Sequence, residues 1–434
     1  MGHLTGKDLY RQLGRKIDRL ATRAPWNDAL YRLLALLYTE DEARLLVSMP
    51  DGLATLAELA ARTGREQTPL RNMLEALAGK GLVVDLHVND TCYYMTSPMV
   101  IGIFEFTMMR TGTEDVSKAA HIFKEYLGDG GFWKANFGRG ETVSPMRALP
   151  HEETVRDELR TEILDYEKAR SIVEAQELFS IGTCSCRHEK LHTGEKKCDT
   201  PLDTCSSFGY SADYLIRNGL ARSVTKEEML ENVARSRDLG LVLIADNVRR
   251  NVSFICHCCA CCCNALAGIS RFGYPHAVVS SNYMAQVVDE NCTGCGKCAR
   301  ACPVNAITMK EAPGANIHGK VPVIDETFCL GCGVCALRCP RDGIKLAERK
   351  QRVLHPETTF QRAILQSLER GNLVYQLFDN PGSVTQSVMR GILGGFLGLS
   401  PVKKALMSDA LRSRFLKLME KGASALGKEW TVDL

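Results

Sequence analysis

Cys292-Thr293-Gly294-Cys295-Gly296-Lys297-Cys298-Ala299-Arg300-Ala301-Cys302-Pro303 is followed by Cys329-Leu330-Gly331-Cys332-Gly333-Val334-Cys335-Ala336-Leu337-Arg338-Cys339-Pro340, and each cysteine of the first run recurs 37 residues later in the second. Both runs have gaps of two, two and three residues, and a proline closes each. Three side chains at two-residue gaps line one tight loop and can converge on a common centre. The fourth cysteine lies past that loop. The proline after it cannot donate a backbone hydrogen bond or extend a helix, so the chain is turned away. The doubled pattern predicts two ligand loops related by a local repeat, with the rest of the chain arranged around them.

Thiols in this spacing are iron ligands. A cubane iron-sulfur cluster takes four thiolates, and in two-cluster ferredoxins the last cysteine of each run ligates the other cluster. Cys292, Cys295, Cys298 and Cys339 are therefore assigned to one [4Fe-4S] cluster, and Cys329, Cys332, Cys335 and Cys302 to the second. Gly294, Gly296, Gly331 and Gly333 suit a backbone that turns sharply and brings N–H groups close to sulfide. Short apolar runs at 277–280 and 321–325 before the loops, and at 306–309 and 343–346 after them, predict small strand pairs. Zinc also binds cysteine pairs, but its motifs rarely carry eight cysteines in this doubled form with both prolines. On these residues the segment 277–347 resembles the bacterial dicluster ferredoxins, with no ligand missing from either run.

At 434 residues the chain has room for several domains, each with its own core. A net charge of +3 is too small to mark a nucleic-acid or acidic partner by itself. The chain has 19 cysteines, and Met1 to Asp8 lack the apolar core of a signal peptide. In a chain of this size such cysteines read as metal ligands in a reducing cytoplasm, not as disulfides. Clusters of this kind also suggest an anaerobic setting. No apolar run approaches the roughly 18 residues of a membrane-spanning helix.

Near the amino terminus, Leu30, Leu33, Leu34, Leu36 and Leu37 fall at helical spacing. Leu56 to Gly64 reads as a short helix ended by glycine, and Thr68-Pro69 as the N-cap and first turn of a second helix through Leu70, Met73, Leu74 and Leu77. Leu82 to Val84 and Cys92 to Met95 then read as two strands. Over residues 40–100 this order is similar to a winged helix-turn-helix. Arg65, Arg71, Asn72 and Lys80 are available for DNA, but Glu66 and Glu75 dilute them and no basic arm follows. The module is expected to scaffold a homodimer or dock a partner. Cys92 stands alone on the expected strand and is left unassigned, since a lone cysteine is more often a small buried hydrophobe than a ligand. Gly128 to Trp133 reads as a turn serving as linker, lid or substrate-side loop, and 151–175 as a solvated helix.

Two further segments hold thiols. Cys184-Ser185-Cys186-Arg187-His188 follows the short run 178–182, and Cys198 and Cys205 come next in a polar stretch. A Cys-x-Cys pair strains a disulfide with itself but can share a metal. Cys184, Cys186, Cys198 and Cys205 are predicted to hold a third iron-sulfur cluster, with a four-cysteine zinc site as the alternative. Arg187 and His188 beside them are expected to donate to sulfur and raise the reduction potential. Between a predicted strand at 252–255 and a predicted helix at 264–269 lies Cys256-His257-Cys258-Cys259-Ala260-Cys261-Cys262-Cys263. Six thiols in eight residues have no packing role. They are predicted to complete a fourth cluster, with surplus thiols or His257 left to act on a substrate or partner, and with their pKa lowered by the following helix N-terminus and by metal. A Cys-x-Cys-Arg segment, a cysteine-dense segment and a dicluster unit, in that order over residues 170–350, resemble a group of anaerobic multi-cluster iron-sulfur proteins, which implies electron transfer. The adjacent cysteines are also similar to the non-cubane sites of heterodisulfide reductase subunits. Their Cys-Cys-Gly signature is absent, since Ala260 follows Cys259 and Asn264 follows Cys263.

The tail interleaves Ile392, Phe396, Leu397, Leu406, Leu411, Phe415 and Leu416 with Lys403, Lys404, Arg412, Arg414 and Lys417. That pattern suits peripheral contact with a membrane surface or a helical pair closing its own core, with breaks at Gly394, Gly395, Pro401 and Gly422; the core-facing reading is preferred. The expected fold is α+β and mostly helical. Its predicted parts are a winged-helix-like domain (1–105), a helical connector (106–175), a cysteine-rich iron-sulfur domain (176–275), the dicluster ferredoxin domain (276–350) and a helical tail (351–434). No phosphate loop or Gly-x-Gly-x-x-Gly follows a strand. The expected function is electron transfer with a redox partner protein, as a ferredoxin-fed reductase or a component of one. It would hold two [4Fe-4S] clusters in the ferredoxin module and one or two more within 184–263, and would act on a small molecule at Cys256–Cys263. A redox-sensing transcriptional regulator is the alternative.

Overall fold

The computed structural model describes residues 2–112, 114–380, 382–425 and 427–433. Its centre is one antiparallel sheet in the order Met146–Leu149, Val242–Asp246, Phe254–Cys258, Asp203–Phe208, Phe179–Thr183, Ala221–Ser223. Side chains alternate between the faces of a strand, and here the two faces have different tasks. Leu243, Ala245, Ile255, Phe179 and Ile181 pack with Met229, Ile172 and Val173. Those partners come from the helices Lys226–Leu239 and Ala169–Glu174. Val242, Ile244 and Cys258 face the other way, into the main core shared with the amino-terminal helices and the ferredoxin module. Thr225 caps Lys226–Leu239 by accepting from the Glu228 N–H, and Gly240 ends that helix in the left-handed region.

The fold is mixed helix and sheet, as expected, with helices holding 51% and strands 15%. The stretch 106–175 does not simply connect, because Met146–Leu149 pairs with Val242–Asp246 as an edge of the sheet. The solvated helix expected over 151–175 is instead three short turns, Glu152–Thr154, Asp157–Glu162 and Asp165–Glu167, ahead of Ala169–Glu174. These turns follow the flank of the ferredoxin module. The Arg156 N–H donates to the Leu346 carbonyl at 3.1 Å or less, and Glu167 accepts from the backbone and side chain of Asn282 at 2.9 and 3.1 Å.

In the amino-terminal segment, Asp28–Leu37 buries Leu30, Leu33, Leu34 and Leu37. Leu56–Thr63 carries a capping box between Thr55 and Glu58 and ends at Gly64. The next helix, Gln67–Gly79, has Glu66 at its N-cap, so Thr68-Pro69 lies inside its first turn. Val83–Val88 and Thr91–Thr96 pair as a hairpin, joined by Ala54–Thr55. This unit docks on the helix Gly209–Arg217, which follows the strand Asp203–Phe208: the Tyr214 hydroxyl donates to the carbonyls of Ala78 (3.3 Å) and Val83 (3.1 Å), and Arg217 pairs with Asp85 at 2.5 Å.

The carboxyl-terminal helices Val384–Gly398 and Asp409–Ala425 run through Gly394, Gly395 and Gly422; Leu399 and Ser408 end the helices preceding them in chain order, and Pro401 sits in the first turn of Ser400–Met407. Phe415 and Leu416 pack with Ile364, Leu365 and Leu368, while Val388, Ile392 and Phe396 stay exposed. Among the described residues no helix is long and apolar enough to cross a membrane.

Candidate iron-sulfur and thiolate centres

The 37-residue offset of the cysteines extends to the backbone around them. Helix Lys297–Ala301 is matched by Val334–Leu337, strand Ile307–Glu311 by Ile344–Glu348, and Tyr283–Val287 by Lys320–Ile324. Pairing crosses between the copies: Tyr283–Val287 lies on Ile344–Glu348, and Ile307–Glu311 on Lys320–Ile324. The leading strand of the first copy is therefore 283–287; the apolar run at 277–280 is instead a short turn, Pro275–Ala277, leading to a bridge at Val279. Each copy repeats one hydrogen bond to sulfur at 3.2 Å, from the Ala306 N–H to Cys302 and from the Gly343 N–H to Cys339. Gly331 and Gly333 have φ of +66° and +84°, and a Cβ on them would meet the Tyr283 carbonyl at 2.0 Å and Thr154 Oγ1 at 2.2 Å.

The crossed strands carry the crossed thiols. Cys339 lies among the charges acting on Cys298, together with Cys292, whereas Cys302 acts on Cys332 and Cys335 together with Cys329. The two sets differ in depth. Cys329, Cys332 and Cys335 are buried, while Cys292, Cys295 and Cys298 remain partly accessible. Burial pushes the Cys332 thiol up to about 12. The inner loop faces the central sheet. The Cys332 carbonyl accepts from the His151 N–H at 3.1 Å, and His151 Nε2 donates to the Leu241 carbonyl at 2.8 Å.

Residues 291–342 match the family model of the 4Fe-4S dicluster domain. The chain therefore carries an iron-sulfur module, and it is an iron-sulfur electron-transfer protein. No curated protein and no solved structure matches the chain.

Apart from Cys92, which is half-buried on the strand Thr91–Thr96, the other ten thiols regroup relative to the sequence expectation. Ser206 pairs with Ile255 and Ser207 with Phe254, so one further antiparallel step sets Cys205 opposite Cys256. Cys258 shares the Cys256 face. Cys184 caps and Cys186 opens the helix Ser185–His192, while Cys263 caps the helix Asn264–Ser270. Asn264 ties these helices together: its N–H donates to Cys186 Sγ at 3.5 Å and its amide to Glu189 at 3.1 Å. Cys184, Cys186, Cys205, Cys256, Cys258 and Cys263 thus line a single cavity of about 90 Å³, which Cys259 and Cys262 also border. A single water needs about 10–15 Å³ by this measure, so the space suits a larger group. A hydrogen bond to Cys263 raises Cys186, one to Cys256 raises Cys205, and burial pushes Cys184 up to about 12.

Cys198 belongs elsewhere. The loop that carries it reaches past the strand holding Cys205 to the turn after Cys258, where it meets Cys259, Cys261 and Cys262. The sequence could not show this split because chain order places Cys198 with Cys205, whereas strand register divides them.

The neighbours of the thiols also sort differently. Arg187 is fully buried and donates to the His257 carbonyl at 2.8 Å and to Thr204, with Cys259 Sγ at 3.9 Å. Burial pulls its pKa down, yet Cys184 and Cys259 beside it hold it above the ordinary value. His188 turns away to the Met108 carbonyl (2.6 Å) and His192 (3.0 Å), so it offers nothing to sulfur. Glu105, unremarked in the sequence, lines the cavity and accepts from the Gly102 N–H at 2.8 Å. Burial pushes its carboxyl up to about 8, with Cys256 and Cys263 adding to the rise. Gly128–Trp133 is no open loop, since Gly131–Phe137 is a helix that puts Phe132, Trp133 and Asn136 on the cavity wall.

Proposed function

We propose that this chain is a ferredoxin-fed reductase of the cytoplasm. The carrying observation is that six thiols converge on one cavity that is also lined by Glu105, a carboxyl that burial raises to about 8. Four of the six suffice for one cubane, whose bound form supplies one-electron chemistry. Two remain to hold a ligand or a larger cluster. The depth of the two ferredoxin loops gives the route a direction: a redox partner meets the accessible first loop, and the buried second loop reaches, through His151 and Leu241, the turn of Cys259 and Cys262 that borders the cavity. Burial raises the Glu105 carboxyl to about 8, with Cys256 and Cys263 adding to the rise, which favours its protonated form near neutral pH, and the reduction of a small acceptor needs such a proton donor. The aromatic wall of Phe132 and Trp133 excludes water.

The winged-helix-like segment fits a scaffold better than a DNA reader. Arg65 is engaged by Asp41 at 2.5 Å and Lys80 by Glu42 at 2.7 Å, which leaves Arg71 and Asn72 of the four candidate contacts. Tyr93 of the hairpin is covered by Trp430 at 4.4 Å.

The test is anaerobic reduction by a low-potential donor, followed optically, and then reoxidation by a panel of small acceptors. Wild-type protein is expected to turn over at least one of them, and Glu105→Gln to keep its iron and reduce normally but reoxidise about tenfold or more slowly. Reoxidation only by a protein partner, at a rate indifferent to Glu105→Gln, would leave a bare carrier.

A further inference from the structure

Four further thiols, of which Cys259 and Cys262 also border the cavity, stand too close together for a cubane. Cys198 Sγ lies 3.6 Å from Cys259 Sγ and 3.9 Å from Cys262 Sγ, and Cys261 Sγ lies 3.4 Å from Cys262 Sγ. All four fall within 4.8 Å of one another. A tetrahedral ion with metal–sulfur bonds of about 2.3 Å sets its sulfurs about 3.8 Å apart. The thiolates of a cubane each bind a different iron and spread further. Among the described residues, neither ferredoxin set closes to the tighter spacing.

We propose that Cys198, Cys259, Cys261 and Cys262 bind a single zinc ion. Four soft thiolates complete a tetrahedron with no open position, which is the donor set of a structural zinc site. Zinc has no d-electron preference for geometry, so it tolerates the compressed edge that neighbouring Cys261 and Cys262 impose at 3.4 Å. Cations face the site, with Arg187 at 3.9 Å from Cys259 Sγ and Lys196 donating to the Cys198 carbonyl. Leu241 packs on the buried Cys259 and Cys262, while Cys198 is half-buried and Cys261 is exposed. The ion fastens the loop 193–202 to the turn 259–262. It thereby fixes Cys258 and Cys263, which flank that turn, on the cavity. The site borders the cavity through Cys259 and Cys262 but uses none of the six thiols assigned to the cavity cluster, and it stands or falls apart from the reductase reading.

The experiment is metal analysis of the full chain purified anaerobically, with zinc-edge X-ray absorption. One zinc per chain bound by four sulfurs is expected. Cys198→Ser, and Cys261→Ser at the exposed ligand as a second variant, are each expected to lower zinc about fivefold or more while iron and acid-labile sulfide stay unchanged. Absence of zinc, one iron without matching sulfide in its place, or loss of iron and sulfide in either variant would overturn the proposal.

Discussion

His257 lies between Cys256 and Cys258 in the sequence and on the opposite face of their strand. There its Nδ1 meets the Ser236 hydroxyl at 2.6 Å and its Nε2 the Ser206 hydroxyl at 2.8 Å. Ser236 already donates to the Asn232 carbonyl at 2.9 Å, so Nδ1 carries the ring proton and Nε2 accepts. Its ring therefore ties the sheet to the helix Lys226–Leu239 through both nitrogens. Burial, with Arg187 adding to it, lowers its pKa from 6.5 to about 3. A group that folding keeps neutral contributes stability above its unfolded pKa and loses it as pH falls from 6.5 toward 3. Between pH 7 and pH 5 the loss is about 2 kcal/mol. Unfolding midpoints at the two pH values should differ accordingly, and His257→Gln should narrow the gap; an equal gap in both proteins would contradict the neutral buried ring. The thiols themselves were legible residue by residue, because nothing else accounts for six of them in eight positions. Their grouping was not, since it depends on the register of Asp203–Phe208 against Phe254–Cys258, which joins residues about fifty apart in the chain. Glu105 carried no signal at all: its role comes from the cavity around it.

Among the elements, the ferredoxin loops were the most readable and their strands less so. Carrying the 37-residue offset back from the run 321–325 points to 284–288, and the strand is Tyr283–Val287; apolar content alone favoured 277–280. Gly331 joins loop to strand. Gly331→Ala should cost at least about 2 kcal/mol and detach the loop from Tyr283, lowering bound iron, whereas Gly314→Ala, at φ +83° but with nothing within 4 Å, should cost only about 1 kcal/mol and keep its iron. Equal iron in the two variants would show that the close approach is unimportant. The tail divides in the same way. Phe415 is buried against Ile364 and Leu368, so Phe415→Ala should destabilise by about 3 kcal/mol in denaturant titration. Phe396 is 56% exposed, and Phe396→Ser should stay within about 0.5 kcal/mol of wild type. The amphipathic pattern could not tell these positions apart, because Phe415 and Phe396 are both apolar residues in helices and only the partner helix Thr359–Arg370 distinguishes them.

Across the whole molecule, the order of parts in the sequence is not their order in space. The ferredoxin module follows the cysteine-dense run in the chain, yet its inner loop reaches the sheet through His151, a residue of the expected connector. The strand Met146–Leu149 from that same connector closes the sheet edge. A linear division into domains therefore misses the route that electrons would take, from the accessible loop at Cys292–Cys298 through the buried loop at Cys329–Cys335 to the six-thiol cavity. The most direct measurement is iron and acid-labile sulfide per chain in anaerobically purified protein, compared with the double variant Cys256→Ser, Cys263→Ser. About twelve irons with equal sulfide are expected in the wild type, falling to about eight in the variant as the cavity cluster is lost and the two ferredoxin clusters stay. About eight irons in both proteins would mean that the cavity binds no cluster, and would contradict the route.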